Sequence, residues 1–137
     1  MSTPRPGLLD EVPTDQPVLT CALELQQRAA QVGFDWGSLP PVLAKVREEL
    51  SELEAEIARG AGRERMLDEL GDLLFAVANL ARKLGLDPQV ALHGTNAKFR
   101  RRFAAVERHL AHHGRRPQDA SLAEMDAIWE QAKREQR

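Results

Sequence analysis

Tyrosine is absent from this 137-residue chain, and its only aromatics are four phenylalanines and two tryptophans. Cysteine occurs once, at Cys21, which excludes an intramolecular disulfide and a thiolate-bound metal cluster. Neither sign of charge is in excess: charged residues make up 29% of the chain, yet the formal net charge is −2. That balance carries no global signature of nucleic-acid binding, and no nucleic-acid partner is expected. No apolar run approaches the roughly 18 residues that a membrane span needs. The opening MSTPRPGLLDEVPTDQP lacks the apolar stretch of a signal peptide. A soluble cytoplasmic protein without a membrane partner is expected. Ala, Leu, Glu and Arg dominate instead, and these side chains lose little freedom in a helix. The length suits one domain with a real core.

Residues 1–17 hold Pro4, Pro6, Pro13 and Pro17, and read as a flexible tail, because each proline disfavours helix at the residue before it. A first helix is expected over 18–31, with Leu19, Ala22, Leu23, Gln26 and Ala30 as a rough apolar stripe, stopped by Gly33. After the loop GFDWGSLPP, with Ser38 as N-cap and Pro40 and Pro41 in the first turn, a second helix is expected over 41–59. Its stripe is Val42, Val46, Leu50, Leu53 and Ile57. A third helix over 63–84 carries Met66, Leu70, Leu73, Val77 and Leu80, and a fourth, capped by Asp87 and Pro88, reaches about His112. Ser121 and Glu124 form a capping box for a last helix with Leu122, Met125, Ile128 and Trp129. No strand pattern competes. The fold class is all-α, an antiparallel bundle of about five helices.

Two acidic clusters stand out on this frame, EELSE at 48–52 and DELGD at 68–72. On the second helix Glu49 borders the stripe and Glu52 lies one turn on, with Glu48 pointing further outward. On the third, Glu69 and Asp72 repeat that arrangement, and Asp68 turns away. A short glycine turn makes the two helices antiparallel neighbours, so Glu49, Glu52, Glu69 and Asp72 could converge. Four carboxylates repel unless a cation neutralises them, and oxygen-only ligands suit Mg²⁺, with Mn²⁺ as substitute. The competing reading is an ordinary charged helix face. Against it stands Asp72, the one acid between Leu70 and Leu84, which is costly there without a partner.

With these residues in hand the chain resembles the MazG nucleoside triphosphate pyrophosphohydrolases. Their pattern EExxE, a spacer, then ExxD is met by Glu48-Glu49-x-x-Glu52 and Glu69-x-x-Asp72. LQQRAAQVGFDW upstream and NAKFRRRFAAVE downstream also look like the catalytic C-terminal domain of the two-domain members, so residues 18–137 read as one MazG-like domain. The resemblance implies a helical bundle completed by oligomerisation, as a homodimer or higher, and Mg²⁺-dependent cleavage of nucleoside triphosphates to monophosphate and pyrophosphate. It implies Glu49, Glu52, Glu69 and Asp72 as metal ligands and Glu48 as a residue that orients or activates water. Lys98 and Arg102 match basic positions that contact phosphates, with Asn96 beside them, and Lys45 joins the substrate-contact candidates.

Several readings stay open in the sequence. KFRRRF is either a solvated basic face or, through Lys98 and Arg102 on one side of a helix, a triphosphate contact. Trp36 and Phe34, in the loop before the acidic helix, and Trp129 are either core or surfaces for base stacking. His109, His112 and His113 suit a helix C-terminus better than a metal site. A narrower dUTPase-like or dCTPase-like enzyme and a non-catalytic oligomerisation module are the alternatives to a general house-cleaning hydrolase.

Overall fold

The structure, a computed structural model, describes residues 7–136. Among them the chain is all-α, with five helices and no strand. They are α1 (Val18–Gln31), α2 (Leu39–Ala58), α3 (Arg63–Lys83), α4 (Pro88–His112) and α5 (Leu122–Glu135). Among the described residues no helix is long and apolar enough to cross a membrane.

Local chemistry explains where these helices begin. The Asp87 carboxylate accepts the Gln89 N–H at 2.8 Å, capping α4 just ahead of Pro88. The Ser121 hydroxyl accepts the Glu124 N–H at 3.1 Å, and the Glu124 carboxylate accepts the Ser121 N–H at 3.3 Å, a closed capping box for α5. Ser38 stands at the N-cap of α2, but its side chain makes no capping bond, and Pro40 and Pro41 occupy the opening turn. The α2–α3 turn needs Gly60 at φ +67°, a left-handed conformation that other residues rarely adopt.

The tail expected over 1–17 is in part outside the described residues, from 1 to 6. From Gly7 onward it is tethered rather than loose. Leu8–Glu11 form a 3-10 turn, Val12 is buried, Glu11 pairs with Arg28 at 3.3 Å and Gln16 donates to Glu24 at 3.0 Å.

The chain divides into two compact units, the first ending at Gln89 and the second beginning at Val90. In the first, α2 and α3 pack as an antiparallel hairpin. Arg65 faces Glu56 at 3.1 Å, Glu69 faces Glu52, and Asp72 faces Glu49, so one register runs the length of the pair. Helix α1 lies on α3, where the Gln26 side-chain amide donates to the Phe75 carbonyl at 3.0 Å. The loop before α2 is pinned to the end of α3: Asp35 accepts from Arg82 at 2.8 Å and from Lys83 at 3.2 Å, and Lys83 donates to the Trp36 carbonyl at 2.8 Å.

The stripe expected on α2 is rotated in the folded chain. Leu50 and Ile57 are 45% and 58% exposed, while Glu49 and Glu56 are buried at 6% and 5%. Glu56 tolerates this because Arg59 and Arg65 both hold its carboxylate. On α3 the buried residues are Ala76, Ala78 and Asn79, whereas Leu67, Leu70, Leu74, Phe75 and Val77 are exposed.

In the second unit Phe99 of α4 and Trp129 of α5 meet with ring centroids 5.1 Å apart, and Arg115 pairs with Glu124. Val106, Leu110 and Ala132 are its buried residues.

Candidate metal and nucleotide site

The hairpin register brings carboxylates of Glu49, Glu69 and Asp72 together, with one oxygen of each within 4.8 Å of the others. Their spacing follows from helix geometry. Glu69 and Asp72 lie one turn apart on α3, and Glu49 comes from the facing turn of α2. Oε2 of Glu49 and Oε2 of Glu69 are buried and have no hydrogen-bond partner among the described residues. A buried carboxylate oxygen without a donor is costly, and two beside a third carboxylate more so.

The electrostatics agree. Asp72 is raised above its ordinary 3.8, first by desolvation, then by the charges of Asp68 and Glu49, with Lys45 pulling the other way. Glu52 is raised above 4.5, first by the charge of Glu49, then by desolvation and by the charge of Glu69. Glu52 thus stands against the cluster without belonging to the trio. One counter-charge is built in: Lys45 Nζ lies 3.0 Å from Glu49 and 3.3 Å from Glu48, and its own pKa is raised above 10.5, chiefly by the bond with Glu49. A single ammonium leaves the cluster under-neutralised. Orphaned oxygens, mutual repulsion and an all-oxygen donor set fit a hard divalent cation.

Beside the trio opens a cavity of about 440 Å³, whose lining includes Glu49, Asp72 and Lys45. Phe34 and Trp36 line it as well, and both are exposed. The remaining lining is largely apolar, with Val42, Ala76, Leu25 and Ala29. An acidic edge joined to an apolar chamber with aromatic residues can accept a ligand that is charged at one end and flat at the other.

Other sequence candidates fall elsewhere. Glu48 is exposed and held by Lys45. Asp68 is exposed, yet its charge acts on Asp72, so turning away did not isolate it. Asn96, Lys98 and Arg102 lie on α4 in the second unit, where the Arg102 guanidinium sits 6.0 Å from the centre of the Trp129 ring. Trp129 is engaged there with Phe99 rather than free. The His109 and His113 rings are 5.3 Å apart at the exposed end of α4.

Four residues of the cavity region escaped the sequence reading as site residues: Gln26, Asn79, Arg82 and Asp35. Gln26 falls in the apolar stripe expected on α1, and a glutamine among buried positions is itself a signal. Asn79 and Arg82, one turn apart on α3, hydrogen-bond to each other at 2.9 and 3.0 Å. Arg82 carries that contact on to Asp35, whose pKa is lowered to about 2, mainly by this bond.

Comparison with known proteins bears on this geometry. The MazG nucleotide pyrophosphohydrolase domain matches residues 40–106, a range that includes the trio. The chain is 43% identical over 129 residues to a nucleoside triphosphate pyrophosphohydrolase of Escherichia coli K12, covering 93% of this chain and 49% of that protein. It is 39% identical over 118 residues to the nucleoside triphosphate pyrophosphohydrolase/pyrophosphatase MazG of Thermotoga maritima, covering 85% of this chain and 44% of that protein. With the uncharacterized protein YabN of Bacillus subtilis it shares 40% over 136 residues, covering 99% of this chain and 28% of that protein. The chain thus spans about half the length, or less, of these relatives. Over residues 40–106 the chain thus carries a MazG nucleotide pyrophosphohydrolase domain, and these identities agree with that match.

Proposed function

We propose that the chain hydrolyses nucleoside triphosphates to monophosphate and pyrophosphate, clearing unwanted members of the cytoplasmic nucleotide pool. The observation that carries this reading is the trio of converging carboxylates with orphaned oxygens, two of whose members line a largely apolar cavity with Phe34 and Trp36. The names of the relatives support the reaction type. Glu49, Glu69 and Asp72, with Glu52 beside them, would hold Mg²⁺, or Mn²⁺ in its place. Such an ion, when bound, supplies Lewis-acid polarisation of phosphoryl oxygens and neutralises the leaving group.

The chain's own residues do the rest. Lys45 keeps Glu48 and Glu49 in fixed positions, which leaves Glu48 at the solvent side to orient an attacking water and take its proton. Phe34 and Trp36 offer rings to the base, while Asp35, held by Arg82 and Lys83, keeps their loop in place. On α4, Lys98 and Arg102 stand four residues apart with Asn96 nearby, and supply positive charge suited to phosphate oxygens. Exposed Leu67, Leu70, Leu74 and Phe75 on α3, with Leu50 and Ile57 on α2, suit burial against a second copy, so a homo-oligomer is part of the proposal. Light scattering on the purified chain tests that part, and a monomer at micromolar concentration would remove it.

The decisive experiment is a panel of canonical and damaged nucleoside triphosphates with Mg²⁺, reading pyrophosphate against phosphate. Pyrophosphate release from several bases supports a broad hydrolase, and release from one pyrimidine alone supports a dUTPase-like or dCTPase-like enzyme. No release from any, with no metal-dependent nucleotide binding by calorimetry, would leave a non-catalytic module.

A further inference from the structure

Among the residues lining the same cavity is one with a buried polar atom that the metal chemistry does not use. Gln26 of α1 is 7% exposed, and its Oε1 is buried without a hydrogen-bond partner among the described residues. Its orientation is fixed by chemistry. The amide nitrogen donates to the Phe75 carbonyl at 3.0 Å, and turning the amide over would set oxygen against oxygen. The acceptor is therefore the end left over. A second buried amide, Asn79, 8% exposed, lines the same cavity in the opposite sense. Its oxygen accepts from Arg82 at 3.0 and 2.9 Å, so its amino group is the end left for a ligand.

A buried acceptor left unpaired destabilises the fold unless something completes it. A fully ionised phosphate cannot, having no donor, and a sugar can only through a hydroxyl, which the largely apolar and aromatic lining does not suit. A nucleobase can: each common base carries at least one edge N–H, either an exocyclic amine or a ring imino group. The apolar walls and the rings of Phe34 and Trp36 suit the faces of such a ring, and one fixed acceptor and one fixed donor suit its edge.

We infer that Gln26 is a base-reading residue of this cavity, its Oε1 accepting an N–H from the edge of the bound nucleobase. This rests on the hydrolase reading above and adds to it the determinant of base selection. A site built around such a bond rejects a ring that lacks the N–H, because the acceptor then stays unpaired.

The test uses pairs of substrates that differ in that group alone: ATP against purine riboside triphosphate, and UTP against 3-methyluridine triphosphate. Pyrophosphate release is measured with Mg²⁺, and binding of the α,β-methylene forms is followed by calorimetry in parallel. In the unmodified protein each analogue should be poorer than its parent by about tenfold or more in kcat/KM and in affinity. In Gln26→Leu, of similar volume, that ratio should collapse toward one through weakening of the parent, while binding of inorganic triphosphate stays unchanged. Equal handling of parent and analogue by the unmodified protein would overturn the inference, an ordered water then being what Oε1 meets. That comparison needs no variant, so it decides the matter even if Gln26→Leu does not fold. Absence of pyrophosphate release from every substrate would sink the hydrolase reading alone, since calorimetry would still report on Gln26.

Discussion

Glu49 and Glu56 lie seven residues apart on one face of α2, equally buried at 6% and 5%, and they make opposite use of that burial. Glu56 is met by Arg59 of its own helix and Arg65 of α3, and its pKa is lowered, chiefly by the hydrogen bond from Arg65. Glu49 has Lys45 on one oxygen and, among the described residues, no partner on the other, and across the hairpin it faces Asp72. The same side chain in the same setting is a clamp where the opposite helix brings arginine, and keeps an unpaired oxygen where it brings more acid. Burial of a carboxylate therefore says little by itself. What the opposite helix supplies decides its role.

The sharpest way to break this contrast is to neutralise each side in turn. Glu69→Gln and Asp72→Asn should each lower pyrophosphate release by more than the roughly 10–100-fold that an outer-shell partner of a metal site costs, with helicity kept by circular dichroism. Near-normal rates in both would end the metal assignment. Next in size is the effect of metal on the unmodified protein. Mg²⁺ at a hundred times its dissociation constant should stabilise the fold by about 2.7 kcal/mol, read as a rise in Tm, and Glu69→Gln should abolish that rise. Glu56→Gln should show the reverse profile. Its Tm should fall, because Arg59 and Arg65 lose their charged partner, while activity per folded molecule stays within about threefold. A loss of activity as deep as that of Asp72→Asn would erase the distinction between clamp and ligand.

The smallest effect lies in the pH profile, where the two kinds of carboxylate carry opposite signs. Asp35 and Glu124, both lowered to about 2, contribute stability that is fully present above their ordinary 3.8 and 4.5 and is lost as pH falls toward 2. Glu52 and Asp72 are raised, so the metal-free protein gains stability as pH falls through their raised values toward the ordinary carboxylate range. Thermal melts without metal should rise slightly on mild acidification from neutral pH and then fall below about pH 4. Asp35→Asn should flatten the acid limb. A monotonic profile that Mg²⁺ leaves unchanged would argue against repulsion at the trio.

Much of the fold was legible because helix ends are local. Gly60, Asp87 with Pro88, and Ser121 with Glu124 announce their turns and caps through bonds within a few residues. The convergence of Glu49, Glu69 and Asp72 was legible for a similar reason, two helices joined by a short turn. What was not legible depends on distant partners. Leu50 and Ile57 look like core until Arg65 is seen to hold Glu56 inside, an interaction nine residues away and on another helix. Gln26 looks like filler in a stripe until the Phe75 carbonyl, forty-nine residues on, fixes which end of its amide is left unpaired. The Asp35–Arg82–Asn79 chain spans a similar distance and left no mark on local pattern.

The Glu56–Arg65 pair also acts as an index mark for rotation. It locks the angular phase of α3 against α2 at the turn end of the hairpin, seven and four residues before the carboxylates that must meet. One residue inserted between Arg65 and Glu69 would swing Glu69 and Asp72 by about 100° away from Glu49. The same insertion among Gly60, Ala61 and Gly62 would leave that phase intact. The chemistry of the site should thus tolerate changes of length at the bend and none along the arms.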